Sequence, residues 1–147
     1  HNLMLANSMS IREMEMFGSA NPGLVRVFAN RGASGIDGLL ATAAGFSSAN
    51  PHPLTLLIGD LAFLHDLNSL ALIKHSAAPI IVVLINNNGG GIFNFLPVKS
   101  EHDVFEPYFG TPHNLTFKQA AQLFGLNYEH PGNSTEFLAI YKRQLKP

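Results

Sequence analysis

The chain has 147 residues, which suits one domain with a sizeable apolar core. Apolar residues make up 46% of the chain and charged residues only 13%, a balance that excludes intrinsic disorder. The formal net charge is −1 and no basic block stands out, so neither a nucleic-acid-binding stripe nor a membrane-surface patch is expected. The absence of cysteine excludes disulfides and favours a reducing compartment. Because no apolar run approaches the roughly 20 residues of a membrane span, we expect a cytoplasmic protein.

Short β-branched runs alternate with longer helical patterns along the chain. The predicted strands cover residues 1–7, 25–29, 54–58 and 80–85. The predicted helices cover residues 35–49, 61–76, 116–124 and 135–145, with Thr116 as the cap of the third. Residues 80–85 are all apolar, as in parallel strands that are covered on both faces. The alternation predicts an α/β fold, a doubly wound and mostly parallel sheet with helices on both faces.

The two ends of the chain suggest a piece of a larger protein. The first residues read as a strand entered midway, and the last follow directly after a predicted helix. We therefore expect residues 1–147 to be one domain of a longer enzyme, although a domain that simply ends on a helix is the alternative.

Glycine-rich and polar segments follow each central strand, where doubly wound sheets bind their ligands. The stretch 30–38 holds three glycines and opens a helix, although many strand-to-helix turns are equally rich in glycine. Asp60 follows the strand 54–58, and the stretch 86–91 reads Asn-Asn-Asn-Gly-Gly-Gly after the strand 80–85. Carboxylate, amide and carbonyl oxygens are the ligands that Mg²⁺ prefers. Asp60 and Asn87 should emerge side by side, and the spacing indicates a magnesium-diphosphate site; two ordinary turns are the alternative.

The motifs resemble those of thiamine-diphosphate enzymes. Gly59-Asp60 followed by Asn86-Asn87 is similar to their Gly-Asp-Gly and Asn-Asn signature, with Leu61 in place of the third glycine. The fuller pattern over residues 7–97 resembles one family more closely, the 2-succinyl-5-enolpyruvyl-6-hydroxy-3-cyclohexene-1-carboxylate synthases (MenD), which commonly carry that leucine. The resemblance implies that the chain is the C-terminal, diphosphate-binding domain of an enzyme several times longer.

The resemblance also implies the cofactors, thiamine diphosphate and Mg²⁺ (or Mn²⁺). Asp60 and Asn87 would bind the cation by side chain, and Gly89 by its carbonyl. Ser34 and Ile36 would contact the aminopyrimidine. The full set of implied cofactor-binding residues is Ser34, Ile36, Gly59, Asp60, Leu61 and Asn87.

Two groups of residues would contact substrate in such an enzyme. Ser8, Arg12 and Arg31 would bind the carboxylates of acidic substrates, with Ser8 and Arg12 matching the family's Asn-Ser-x-x-x-Arg motif. The apolar side of the pocket would be formed by Ile92, Phe93 and Leu96. The seven histidines show no spacing typical of a helical metal site.

The resemblance implies a transferase that decarboxylates 2-oxoglutarate and adds the succinyl-semialdehyde unit to isochorismate, in menaquinone or phylloquinone biosynthesis. No catalytic residue is assigned here, because the activating glutamate is expected on a separate pyrimidine-binding domain, usually of a neighbouring subunit in a homodimer or homotetramer. The chain alone is therefore expected to be inactive. The alternatives are another thiamine-diphosphate-dependent 2-oxo acid decarboxylase or carboligase, and a non-catalytic cofactor-binding or assembly module.

Overall fold

The computed structural model describes residues 1–21, 23–30 and 35–145. The strands are β1 (Asn2–Leu5), β2 (Arg26–Ala29), β3 (Leu54–Gly59) and β4 (Ile80–Ile85). In the described part of the chain they form one sheet in the order β2-β1-β3-β4, with every neighbouring pair parallel. Because the strands are parallel, the loops that follow all four lie along the same edge of the sheet.

Short helices connect and follow the strands. The α-helices are α1 (Met9–Phe17), α2 (Leu39–Ser48), α3 (Asp60–His65), α4 (Leu70–Lys74), α5 (His102–Phe105), α6 (Lys118–Leu123) and α7 (Ser134–Gln144). Shorter 3₁₀ turns cover Leu67–Ser69, Gly91–Phe95 and Pro97–Ser100, and a π-helical turn covers Glu106–Gly110.

One face of the sheet carries the apolar core. Leu54, Leu56 and Ile58 alternate along β3 and are fully buried. They belong to the same apolar cluster as residues of α2, α3 and α4, and as Phe117 just before α6. At about 25 cal/mol per Å² of apolar surface, this burial is the main stabilising term of the fold.

The opposite face of β3 meets α7 through a polar contact. The hydroxyl of Thr55, which is buried, lies 2.8 Å from the hydroxyl of Tyr141 and 2.7 Å from Nε2 of His1. These contacts satisfy a buried hydroxyl that would otherwise cost about 1–3 kcal/mol. Helices therefore cover both faces of a parallel sheet, which confirms the predicted fold class.

Three helix predictions need correction. The helix expected over 35–49 begins only at Leu39 and ends at Ser48. The helix expected over 61–76 is broken at Asp66 into α3, a 3₁₀ turn and α4. The helix expected to start at Thr116 starts at Lys118, and the Thr116 hydroxyl donates to the side chain of Gln119 at 3.2 Å instead of capping the backbone. Among the described residues, the helices are all too short or too polar to cross a membrane.

Candidate cation and diphosphate site

The ends of β3 and β4 place two of the predicted residues side by side. Gly59 and Ile85 are opposite each other in the last register pair of the two strands. Asp60 is the first residue of α3, directly after β3, and Asn87 lies two residues beyond the end of β4. The side chains meet because both strands run toward the same edge of the sheet.

The Asp60 side chain is almost completely buried, with the residue 2% exposed. Its Oδ1 accepts a hydrogen bond from Leu61 N at 2.8 Å, and its Oδ2 accepts one from Gly89 N at 2.9 Å. Nε2 of His113 lies 3.1 Å from the same Oδ2. The carboxylate thus joins the end of β3 to the loop after β4, and its orientation is fixed from three sides.

The Asn87 side chain is directed at this carboxylate. One of its two amide atoms lies 3.0 Å from the carbonyl oxygen of Gly89 and 3.3 Å from each oxygen of Asp60. If that atom is nitrogen, it donates to oxygens of both neighbours. If it is oxygen, three oxygen-bearing groups converge, which is repulsive unless a cation lies between them.

The distances between Asn87, Asp60 and Gly89 can be compared with those between the ligands of a divalent cation. An octahedral Mg²⁺ with ligands at about 2.1 Å holds neighbouring oxygens about 3 Å apart, close to the separations around Asn87. The donor set is one carboxylate, one amide and one backbone carbonyl, all hard oxygen ligands, and exposed Asn87 leaves one side open to further oxygens. The residues fit the implied cation.

A search for clusters of carboxylate, histidine and cysteine side chains would not find this site. Across residues 1–21, 23–30 and 35–145, no group of three or more such side chains is arranged to hold a metal ion. At this site Asp60 and His113 are the two described side chains of that kind, and the other two candidate ligands are an amide and a backbone carbonyl.

The glycines after Asn88 are required by close packing. Gly89 has φ of +132°, and a Cβ there would lie 2.1 Å from the carbonyl oxygen of Gly110. A Cβ at Gly91 would lie 2.2 Å from the Asn87 amide nitrogen. The glycines therefore bring the π-helical turn 106–110 onto the loop and leave room for the Asn87 side chain.

The other predicted cofactor-binding residues that the structure describes do not hydrogen-bond the Asp60 carboxylate with their side chains. Gly59 precedes α3, and the N–H of Leu61 is already bonded to Asp60. Ile36 is partly buried and packs against the apolar core. The side chain of Asn7 donates to the Gly35 carbonyl at 2.6 Å, which ties the end of β1 to the glycine-rich stretch. Ser34 lies outside the described residues.

The predicted substrate residues sit on two other segments. Ser8 precedes α1 with φ of +77°, an uncommon conformation for a serine. Arg12 is exposed, and its guanidinium donates to the Ser8 carbonyl at 3.2 Å. Ile92 and Phe93 are half-buried on the 3₁₀ turn 91–95, and Leu96 is 48% exposed. Arg31 lies outside the described residues.

The aromatic segment after α5 packs beside this turn. Phe105 is buried and stacks on Phe109, whose ring meets the edge of Phe93 with centroids 5.6 Å apart. Tyr108 is largely exposed. A polar cleft of about 220 Å³ lies between this segment and the loop, and Asn87, Gly89 and Glu106 are among its lining residues. A larger cavity of about 550 Å³ lies along β4 and α7, and it is lined mainly by apolar side chains.

Sequence reasoning missed His113. The residue lies between the π-helical turn and α6, 53 positions from Asp60. Its neighbours Pro112 and Asn114 mark a loop, but no spacing relates it to a carboxylate. Only the folded arrangement brings the ring to the site.

Comparison with known proteins gives the family. The model of the thiamine pyrophosphate enzyme, C-terminal TPP binding domain, matches residues 14–146. Relatives named 2-succinyl-5-enolpyruvyl-6-hydroxy-3-cyclohexene-1-carboxylate synthase from Rubrobacter xylanophilus and Aeromonas salmonicida are 54% and 52% identical over 97% and 98% of the chain. One of the same name from Chlorobium phaeovibrioides is 53% identical over 93%. The chain spans about a quarter of each relative's length, 25%, 25% and 24%. The chain belongs to the C-terminal TPP-binding domains of thiamine pyrophosphate enzymes.

Proposed function

We propose that the chain is the C-terminal cofactor-binding domain of a 2-succinyl-5-enolpyruvyl-6-hydroxy-3-cyclohexene-1-carboxylate synthase. Such a transferase decarboxylates 2-oxoglutarate and adds the succinyl-semialdehyde unit to isochorismate, in menaquinone or phylloquinone biosynthesis. The observation that carries the proposal is identity of about one half, over nearly the whole chain, to relatives of that name. Because the chain spans a quarter of their length, residues 1–147 would be one domain of a longer polypeptide.

In this proposal Asp60, Asn87 and the Gly89 carbonyl hold Mg²⁺ or Mn²⁺, which neutralises the diphosphate of the cofactor. The position of one Asn87 amide atom, 3.0–3.3 Å from the Gly89 carbonyl and the Asp60 carboxylate oxygens, supports this assignment. Burial of Asp60 supports it further, because a charge kept from water gains most from a bound cation. Gly59 and Leu61, on either side of Asp60, would lie against the diphosphate.

Thiamine diphosphate, when bound, supplies the electron sink for decarboxylation. Ser34 and Ile36 would position the aminopyrimidine. Ile36 is suited to such a support because its side chain is itself held by the apolar core. The Asn7 side chain donates to the carbonyl of Gly35, and this bond would help to hold the adjacent Ile36 in place.

The acidic substrates would be bound by residues other than those that hold the cofactor. Ser8, Arg12 and Arg31 would engage carboxylates, for which a planar guanidinium offers two parallel hydrogen bonds. Exposure of Arg12 supports this role, because its guanidinium bonds only a local carbonyl in the described structure and can turn to a ligand. Ile92, Phe93 and Leu96 would line the apolar side of the pocket.

The domain would depend on a partner. The activating glutamate would come from a pyrimidine-binding domain, from a neighbouring subunit of a cytoplasmic homo-oligomer. The isolated chain should then show no turnover of 2-oxoglutarate. Clear decarboxylation by residues 1–147 alone would contradict this part of the proposal.

The experiment for the cation site is a titration of the complete enzyme with thiamine diphosphate at fixed Mg²⁺. Asp60→Ala removes the charged ligand and should weaken cofactor binding by at least about 100-fold. Asn87→Ala removes a neutral ligand and should weaken it less. Asp103→Ala removes an exposed carboxylate of α5 and serves as the control with unchanged affinity. Unchanged affinity in Asp60→Ala would refute the site.

Substrate choice is tested separately with the unmodified complete enzyme. Turnover of 2-oxoglutarate with isochorismate, and little with pyruvate, is the expected result. Preference for pyruvate would indicate a different thiamine-dependent decarboxylase or carboligase. Cofactor binding without turnover of either acid would indicate a non-catalytic module.

A further inference from the structure

Residues 110–115 lie across the loop 86–91 that follows β4 (the asparagine loop) and are hydrogen-bonded to it along their length. Gly90 N donates to the Gly110 carbonyl at 2.7 Å, and the Asn86 side chain donates to the Leu115 carbonyl at 3.1 Å. Between these two bonds, Oδ1 of Asn88 accepts from the backbone N–H groups of residues 113 and 114, at 3.2 and 2.7 Å. Of the three consecutive asparagines, the middle one thus faces Asp60 while the outer two hold the 110–115 segment.

This segment carries the His113 ring into contact with the carboxylate. The side chain is 10% exposed, and its Nε2 lies 3.1 Å from Oδ2 of Asp60. Its Nδ1 accepts a hydrogen bond from Leu115 N at 3.0 Å. A nitrogen that accepts from an N–H carries no proton of its own, so the ring proton is on Nε2 and is donated to Asp60. The edge of the ring packs against Phe117, with centroids 5.8 Å apart.

The hydrogen bonds of Asp60 leave one position for a cation. A carboxylate has about four acceptor positions, two on each oxygen. Gly89 N and His113 Nε2 occupy both positions on Oδ2, and Leu61 N occupies one on Oδ1. When Asn87 presents its amide oxygen to a cation, the remaining position is on Oδ1, so the carboxylate is arranged to bind the cation through a single oxygen.

We propose that His113 is a positioning residue that restricts Asp60 to single-oxygen binding and thereby favours Mg²⁺ and Mn²⁺ over Ca²⁺. The inference rests on the proposed function, in which Asp60, Asn87 and Gly89 hold the cation. Small divalent ions require near-octahedral ligands at about 2.1 Å, whereas Ca²⁺ accepts six to eight ligands and readily takes both oxygens of a carboxylate. When the Nε2 donor is removed, Oδ2 becomes available and the geometry that selects the smaller ion is relaxed.

The test uses the complete enzyme saturated with thiamine diphosphate. Mn²⁺ binding is followed by the electron paramagnetic resonance signal of the free ion, and Mg²⁺ and Ca²⁺ are measured as competitors. In His113→Asn the shorter side chain keeps a polar group near Leu115 N but cannot reach Asp60. Affinity for Mn²⁺ and Mg²⁺ should fall by about 10-fold or more, the usual effect of losing a partner of a metal ligand. Affinity for Ca²⁺ should fall less, so that the Mg²⁺/Ca²⁺ ratio drops.

A matched variant restores the donor. In His113→Gln the amide nitrogen reaches about as far as Nε2, so both the Mn²⁺ affinity and the Mg²⁺/Ca²⁺ ratio should stay within about threefold of the parent enzyme. His102→Asn changes an exposed histidine of α5 and should alter neither quantity. Asn88→Gly removes the contact that holds residues 113 and 114 while suiting the φ of +64° there, and it should shift the ratio in the same direction as His113→Asn.

The outcomes separate this inference from the proposed function. If Asp60→Ala leaves Mn²⁺ binding intact, the cation site itself is wrong. If Asp60→Ala abolishes binding while His113→Asn changes neither affinity nor ratio, only the role of His113 is overturned. If His113→Asn lowers the affinities for Mn²⁺, Mg²⁺ and Ca²⁺ equally, His113 has only a structural role and the proposal is also overturned.

Discussion

The substitution Gly91→Ala should weaken cation binding while leaving the fold intact. A Cβ at this position would lie 2.2 Å from the amide nitrogen of Asn87, against an ordinary contact distance of 3.4 Å. The amide must therefore move by about 1.2 Å, several times the tolerance of about 0.2 Å in a metal–ligand distance. The atom that moves is the far end of an exposed, flexible side chain, so the displacement adds little strain to the backbone.

The expected magnitude is that of losing one neutral ligand. Affinity of the complete enzyme for Mg²⁺ in the presence of thiamine diphosphate should fall by at least about 10-fold, or about 1.4 kcal/mol. The midpoint of thermal unfolding without metal should change little. Calorimetric titration with Mg²⁺ and a thermal melt measure the two quantities.

Two other glycines provide the comparison. In Gly89→Ala the methyl group would meet the backbone carbonyl of Gly110 at 2.1 Å, and φ of +132° is unfavourable for alanine, so unfolding itself should become easier. Gly45 lies in α2, and outside that helix no atom of residues 1–21, 23–30 or 35–145 comes within 4 Å of the Cβ that Gly45→Ala would add. This substitution should be neutral or stabilising by up to about 1 kcal/mol. Unchanged Mg²⁺ affinity in Gly91→Ala would refute the assignment of Asn87 as a ligand.

Three further substitutions test other parts of the molecule. Arg31→Ala should raise the KM for an acidic substrate by about 10- to 100-fold while cofactor affinity stays nearly constant, as measured by steady-state kinetics and a cofactor titration. Loss of cofactor binding with an unchanged KM would instead make Arg31 a cofactor residue. Asn133→Ala removes the cap of α7, whose side chain accepts from Glu136 N at 2.9 Å, and should lower the free energy of unfolding by about 1 kcal/mol in urea titrations. Leu56→Ala empties a fully buried position of β3 and should cost about 2–5 kcal/mol in the same assay, so a loss below that of Asn133→Ala would contradict the described core.

The strands were the most predictable part of the molecule. Residues 80–85 were predicted as a parallel strand covered on both faces, and β4 does cover Ile80–Ile85 as a parallel strand. The predicted burial was wrong, because the β4 residues are only partly buried and Ile85 is exposed. A six-residue apolar run admits few alternatives, and the adjacency of Asp60 and Asn87 follows once the strands are parallel neighbours. The break in the predicted helix 61–76 was not evident from the apolar pattern. At the break the Asp66 carboxylate accepts from Ala41 N of α2 at 2.9 Å and from the nearby Ser69 hydroxyl at 2.5 Å.

Roles that depend on contacts between distant segments could not be predicted from the local sequence pattern. Thr116 has the residue type of a helix cap, but the N-cap position of α6 is occupied by Phe117, which is buried in the core. His113 has no periodic relation to the carboxylate that it contacts. In both cases the local pattern is ordinary, and the deciding partner comes from elsewhere in the fold.

The close contact between the asparagine loop and the π-helical turn constrains how this sequence can change. The carbonyl of Gly110 occupies the space where Gly89 would carry a side chain, so neither segment can shift or gain bulk while the other stays unchanged. Gly91 is limited differently, because among the described residues only the Asn87 side chain lies within 4 Å of the position of its Cβ. Substitutions at Gly89 should therefore be tolerated only with compensating changes around residues 106–110. Substitutions at Gly91 should be tolerated in sequences where Asn87 is replaced and no longer binds a cation. In related sequences we therefore expect position 89 to covary with positions 106–110, and position 91 to covary with position 87.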